Sequence, residues 1–134
     1  MTHVSRKKLP KEMSDLMNEG FIASIKGLDT SGAKSFATNL LTTTELEMLS
    51  KRLFVIYILN EKYSITEISN TVNTTIQTVQ RIQFQLVSVP KDEIQAMVNK
   101  VNGVIGKKKL KAAIKQVLDT EVRSQTLEPF RRNL

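Results

Sequence analysis

Apolar residues recur along this chain at steps of three and four, which is the period of a helix with one buried face. Met13, Leu16, Met17, Ile22, Ile25 and Leu28 predict a first helix entered at Pro10, a residue suited to a helix's first turn. Gly20 weakens it by about 1 kcal/mol relative to Ala. Asp29-Thr30-Ser31-Gly32 reads as a turn and cap before a shorter helix carrying Phe36, Leu40 and Leu41. Thr42 and Glu45 then form a capping box that opens the longest predicted helix, about Thr43 to Glu61, with Leu46, Leu49, Leu53 and Ile56 on its stripe. Further on, Ile94, Met97, Val98 and Val101 predict a helix from Pro90 to about Asn102, followed by punctuation at Gly103 and Gly106. A last helix from about Lys107 carries Leu110, Ala113, Ile114, Val117, Leu118 and Val122, and Glu128-Pro129-Phe130-Arg131-Arg132 reads as a loose tail.

Leu53-Phe54-Val55-Ile56-Tyr57-Ile58-Leu59 breaks the striped pattern, being apolar on every side. Such a run is also compatible with a buried strand, but it continues a helical stripe from a capped start. A helix apolar all round needs cover all round, and a chain of 134 residues can hardly supply it. The run therefore predicts a second subunit.

Between these helices lies the most informative segment, Ser64 to Ile82. Ser64 and Glu67 make a second capping box and start a short helix. Asn73 follows Val72, and Asn tolerates the left-handed backbone that a tight inter-helix turn requires. Thr75 offers its hydroxyl as N-cap to the next helix. Ile68, Val72, Val79 and Ile82 are spaced for one shared apolar core, with the small Ser69 at the crossing. This is a helix-turn-helix pattern, spanning about residues 64–86. With Val79 and Ile82 inward, Thr75, Ile76, Gln77, Gln80 and Arg81 face outward near the start of the second helix, where a recognition helix meets base edges. Gln suits the adenine N6/N7 edge, Arg suits guanine O6/N7, and Ile76 suits a thymine methyl. A helix pair that merely packs on its neighbours has the same core spacing, but gives no account of an exposed Ile76.

Charge sharpens that reading through its placement. The formal net charge is +7. Arg6, Lys7, Lys8 and Lys11 lie in an acid-free start, and Lys100, Lys107, Lys108, Lys109, Lys111 and Lys115 lie in an acid-free stretch near the other end. The middle is slightly acidic. Arg6, Lys7 and Lys8, with Lys107, Lys108 and Lys109, are the candidate phosphate contacts. A solvated surface or a gain in solubility accounts for the same runs.

Chemistry of other kinds is poorly supplied. The chain has no Cys, hence no disulfides, and its one His, His3, lies in the basic arm, so neither a Ser-His-Asp nor a Cys-His arrangement is predicted. No Gly-rich phosphate loop and no metal-ligand spacing occurs, and no catalytic residue, cofactor or metal is predicted. Glu45 and Glu47 sit where acids favour a helix start. No stretch is long enough to span a bilayer, and a cytoplasmic protein without membrane contact is expected.

The order Leu40-Leu41-Thr42, Glu45, Leu49-Ser50-Lys51-Arg52-Leu53, an apolar helix and then the helix-turn-helix resembles the Trp repressor superfamily, closest to its Trp-repressor-like branch of regulators. The likeness covers roughly residues 40–86, with a weaker likeness in the helices before. It implies an all-α fold forming an intertwined homodimer that presents two recognition helices to half-sites about one DNA turn apart. In tryptophan-responsive members two arginines flank the indole, and Arg52 and Arg81 resemble them. The glycine that follows the second arginine in those members is Ile82 here, and the link from Arg52 to Ser64 is one residue shorter. Both departures argue against L-tryptophan as an effector, which leaves Arg52 a surface or ion-pairing residue. The resemblance does not account for the region beyond Gly103.

Together these features predict a basic arm (residues 1–9), a Trp-repressor-like helical domain (10–102) and a basic C-terminal helix and tail (103–134). The expected function is transcriptional regulation by a homodimer that reads double-stranded DNA in the major groove. The alternative is a protein-interaction module that docks through the same hairpin, a reading helped by the single cation on the recognition helix.

Overall fold

A computed structural model describes residues 8–131, with side chains to Glu121. The described residues form seven helices and no strand: α1 (Lys11–Ile25), α2 (Thr30–Leu40), α3 (Thr43–Asn60), α4 (Ile65–Val72), α5 (Ile76–Leu86), α6 (Lys91–Ile105) and α7 (Lys107–Arg131). The chain divides into two compact units, residues 1–49 and 50–134.

In the first unit, α1 runs through Gly20 without a break and ends at Ile25, earlier than its apolar stripe suggests. Leu28 falls in the connection to α2, after Gly27 at φ 75°. Asp29 caps α2, its carboxylate accepting from the Gly32 amide at 2.7 Å. The segment expected to turn is thus the first turn of a helix, because the cap is already complete at Asp29. A Cβ at residue 32 would stand 2.9 Å from the Asp29 carboxylate, so a larger residue there would make the capping side chain shift. The Phe21 and Phe36 rings lie 6.1 Å apart and join α1 to α2. The predicted capping box at the start of α3 is present, with Glu45 N–H donating to Thr42 Oγ1 at 3.1 Å and Thr42 N–H to Glu45 Oε1 at 3.0 Å.

The second unit holds the core. Val55, Tyr57 and Ile58 from α3, Ile68 from α4, Val79 and Ile82 from α5, Val98 from α6, and Leu110 and Ile114 from α7 are buried together. Each such aliphatic side chain contributes roughly 1.5–3 kcal/mol relative to exposure. The rest of the all-apolar run in α3, namely Leu53, Phe54, Ile56 and Leu59, is half-buried. Tyr57 donates from its hydroxyl to Asn102 Oδ1 at 2.7 Å, which gives the one polar tip of this core a partner and ties α3 to α6.

Two endings differ from expectation. Helix α6 continues through Gly103 to Ile105, since one helical glycine costs only about 1 kcal/mol. The break falls at Gly106, where φ is 90°, a conformation that glycine adopts readily. Helix α7 extends to Arg131, so most of the supposed tail is helical.

Candidate nucleic-acid interface

Local chemistry builds the hairpin that carries the candidate site. The Ser64 hydroxyl accepts from the Glu67 amide at 3.1 Å, and the Glu67 carboxylate accepts from the Ser64 amide at 3.0 Å. Helix α4 therefore starts with two of its free amides satisfied. It stops at Asn73, which is left-handed at φ 56° and ψ 60°. The Ser69 carbonyl accepts from both the Asn73 and Thr74 amides, and the Ser69 hydroxyl donates to the Thr74 carbonyl at 2.6 Å. Ser69 thus fastens the turn as well as fitting the crossing. Thr75 caps α5 by accepting from the Thr78 amide at 3.1 Å.

Helix α5 presents two unlike faces. Val79 is fully buried and Ile82 is 6% exposed. Thr75, Ile76, Gln77, Gln80 and Arg81 are all exposed, Ile76 to 42%. The five candidate base-reading residues therefore lie together on the outward side, with amide, guanidinium and methyl groups in one patch. Near its end, α5 also exposes Phe84 to 80%, with Val87 just beyond at 81%.

Consecutive residues of α3 hold this hairpin from behind. Lys51 Nζ donates to the Asn73 carbonyl at 3.2 Å, at the turn itself. Arg52 Nη2 donates to Gln85 Oε1 at 2.6 Å, near the end of α5. Sequence pointed to Arg52 as a surface or ion-pairing group, and its partner across the fold is this neutral amide. Bonds that reach across 22 and 33 residues leave no periodic signal in the chain.

Candidate phosphate contacts separate into groups. Arg6 and Lys7 lie outside the described residues, and Lys8 is exposed. Lys107, Lys108 and Lys109 occupy the first turn of α7 and are exposed. Cations there oppose the helix dipole, at a cost of ~0.3–1 kcal/mol each, so helix stability does not explain them. Lys107 is partly neutralised by Glu61 at 3.6 Å. Lys111 and Lys115 were not among the expected contacts. With Lys108 they make an exposed i, i+3, i+7 stripe beside the buried Leu110 and Ile114. The alternation of those lysines with the apolar seam was the available signal.

The Trp repressor protein family matches residues 19–102, which takes in the hairpin, α2, α3, the second half of α1 and most of α6. The chain belongs to the Trp repressor family. Its all-α architecture with a helix-turn-helix is that of the family. No match was found among curated proteins or among solved structures. Helix α7 lies outside the family match, so its lysine stripe and its packing on α4 are additions to the Trp repressor core.

Proposed function

We propose that this Trp repressor family protein is a transcriptional regulator that binds double-stranded DNA in a sequence-specific manner as a homodimer. One observation carries the reading: Thr75, Ile76, Gln77, Gln80 and Arg81 share the exposed face of α5, while Val79 and Ile82 fix the opposite face in the core. A solvated helix gains nothing from an exposed Ile76, whereas a base-reading helix uses it against a thymine methyl. Lys108, Lys109, Lys111 and Lys115, and the arm with Arg6, Lys7 and Lys8, supply phosphate affinity in this reading.

The homodimer is supported by the first unit. Leu16, Met17, Phe21, Ile22 and Ile25 of α1 are 42–61% exposed in the single chain, as are Leu49 and Met48 of α3 at 52% and 47%. An apolar surface of that kind marks an association face, and the family makes a second copy the natural cover. L-tryptophan is not the effector we propose. The buried Ile82 side chain fills the position that is glycine in tryptophan-responsive members, and Arg52 is engaged by Gln85.

Selection from a random duplex DNA pool, with Gln77→Ala/Arg81→Ala alongside the parent, tests the proposal. A two-fold symmetric site that only the parent recovers supports it. Weak, unenriched binding by both proteins sinks it. Phe84 and Val87 favour the second reading, docking on another protein, and a salt titration separates the two. An apolar contact survives salt that strips a phosphate-dependent complex.

A further inference from the structure

Helix α5 carries apolar side chains that the core does not use. Ile76, Phe84 and Val87 stand 42%, 80% and 81% exposed, turned away from the buried Val79 and Ile82. Phe84 follows Gln77 by two helical turns and lies in line with it, at the centre of the outward face. That face is held along its whole length. Lys51 donates to the Asn73 carbonyl just before α5, and Arg52 donates to Gln85, the residue after Phe84.

Single exposed apolar residues are ordinary on a protein surface. What marks this face is what lies between them. The places three, four and seven residues before Phe84 are Arg81, Gln80 and Gln77, and α5 contains no acid. A helix that docks in a protein groove places apolar anchors at those spacings. Amides and one cation interleaved with apolar groups instead match a major groove, where hydrogen-bonding base edges alternate with thymine C5 methyls between rows of phosphate.

We infer that Phe84 is a specificity-determining residue of the DNA interface, its ring resting on a thymine C5 methyl, and that α5 lies lengthwise in the major groove. The inference rests on the regulator reading and adds to it a residue and an orientation. Ile76 and Phe84 are separated by roughly 12 Å along the helix axis, at 1.5 Å per residue. The groove is about 12 Å wide and admits a helix lengthwise. Both side chains then reach base edges, on thymines about three base pairs apart at roughly 3.4 Å per pair. A helix entering tip first would hold Phe84 roughly 12 Å above the bases met by Ile76. That exceeds the groove's depth of about 8.5 Å, and the ring would touch no base.

The test uses the full chain and the duplex site recovered by selection, with each thymine replaced in turn by deoxyuridine. That exchange removes the C5 methyl and leaves the hydrogen-bonding edge intact. At one thymine the parent should lose about four-fold in affinity, the worth of one buried methyl group. Phe84→Ala should bind the thymine and deoxyuridine duplexes alike at that position, with its melting temperature unchanged. Ile76→Ala should cancel the effect of a different thymine, about three base pairs away. If deoxyuridine costs Phe84→Ala as much as it costs the parent at every position, the ring meets no methyl and the assignment is overturned. A loss in Phe84→Ala that is equal for all these duplexes would put the ring against another protein chain and overturn it as well. In both cases the recovered site still upholds the regulator reading. Failure of the parent to recover any site sinks that reading first, and this one with it.

Discussion

Arg52 and Gln85, 33 residues apart, meet at 2.6 Å and tie the long helix α3 to the far end of α5. Both side chains are exposed, so the bond contributes no more to global stability than an ordinary hydrogen bond. Its value is in fixing how α5 is carried. A double-mutant cycle with Arg52→Ala and Gln85→Ala should give a coupling of about 0.5–1.5 kcal/mol in urea melts. The same cycle measured on affinity for a selected DNA site should show coupling too. Strictly additive losses in both would mean that the bond positions nothing.

Arg81 lies on the exposed face of α5 and has no part in the core. Arg81→Ala should leave the melting temperature unchanged and weaken a selected duplex by about 1–3 kcal/mol, with specificity relaxed at one base pair. Competition binding against single-base variants of the site would show this. Parent-like affinity and parent-like discrimination would remove Arg81 from the reading surface.

Lys108, Lys111 and Lys115 form a stripe on α7, which packs on the first helix of the helix-turn-helix. Replacing all three with Gln should weaken every duplex alike. The slope of log K against log salt should flatten by about 0.9 for each phosphate that is no longer neutralised. An unchanged slope would make the stripe a solvated surface.

Features set by neighbouring residues were legible before the structure. The Ser64–Glu67 and Thr42–Glu45 boxes, the left-handed Asn73 and the Thr75 cap all rest on side chains within three residues of the backbone they satisfy. The exposed patch from Thr75 to Arg81 followed from the same local geometry, since burying Val79 and Ile82 orients the rest. Endings were not contained in periodicity: Gly103 is carried inside α6 at a cost of about 1 kcal/mol, while Gly106 breaks the helix by its own backbone at φ 90°. Partners distant in sequence were not legible. Nothing in the spacing of Arg52 points to Gln85, nor in that of Leu110 and Ile114 to the packing of α7 on α4. The stripe of α1 announced a helix with an apolar face, but not what covers Leu16, Met17 and Ile22.

The turn between α4 and α5 gives a stability prediction. Asn73 holds φ 56°, and a β-branched residue there would be strained by roughly 1–2 kcal/mol. Asn73→Val should lose about that much in urea denaturation, whereas Asn73→Gly should stay within about 0.5 kcal/mol of the parent. The Lys51 bond goes to the backbone carbonyl and survives either substitution. Equal stability of the Val and Gly variants would show that the turn does not depend on its left-handed residue.

Tyr57 supplies the pH dependence. Burial pushes its phenol above the usual value of about 10, and the nearby Glu61 and Tyr63 push in the same direction. The folded state therefore holds this proton more tightly than the unfolded chain does. Its contribution is complete below about pH 10 and is lost as pH rises through the higher folded value. Tyr57→Phe also removes the hydrogen bond to Asn102, at a cost of about 0.5–1.5 kcal/mol near neutral pH. The stability gap between parent and Tyr57→Phe should accordingly be constant up to about pH 10 and narrow above it, as only the parent loses the phenol's contribution. Paired urea melts across that range measure the gap. A gap that stays constant through alkaline pH would show that Tyr57 ionises in the fold as readily as in the unfolded chain.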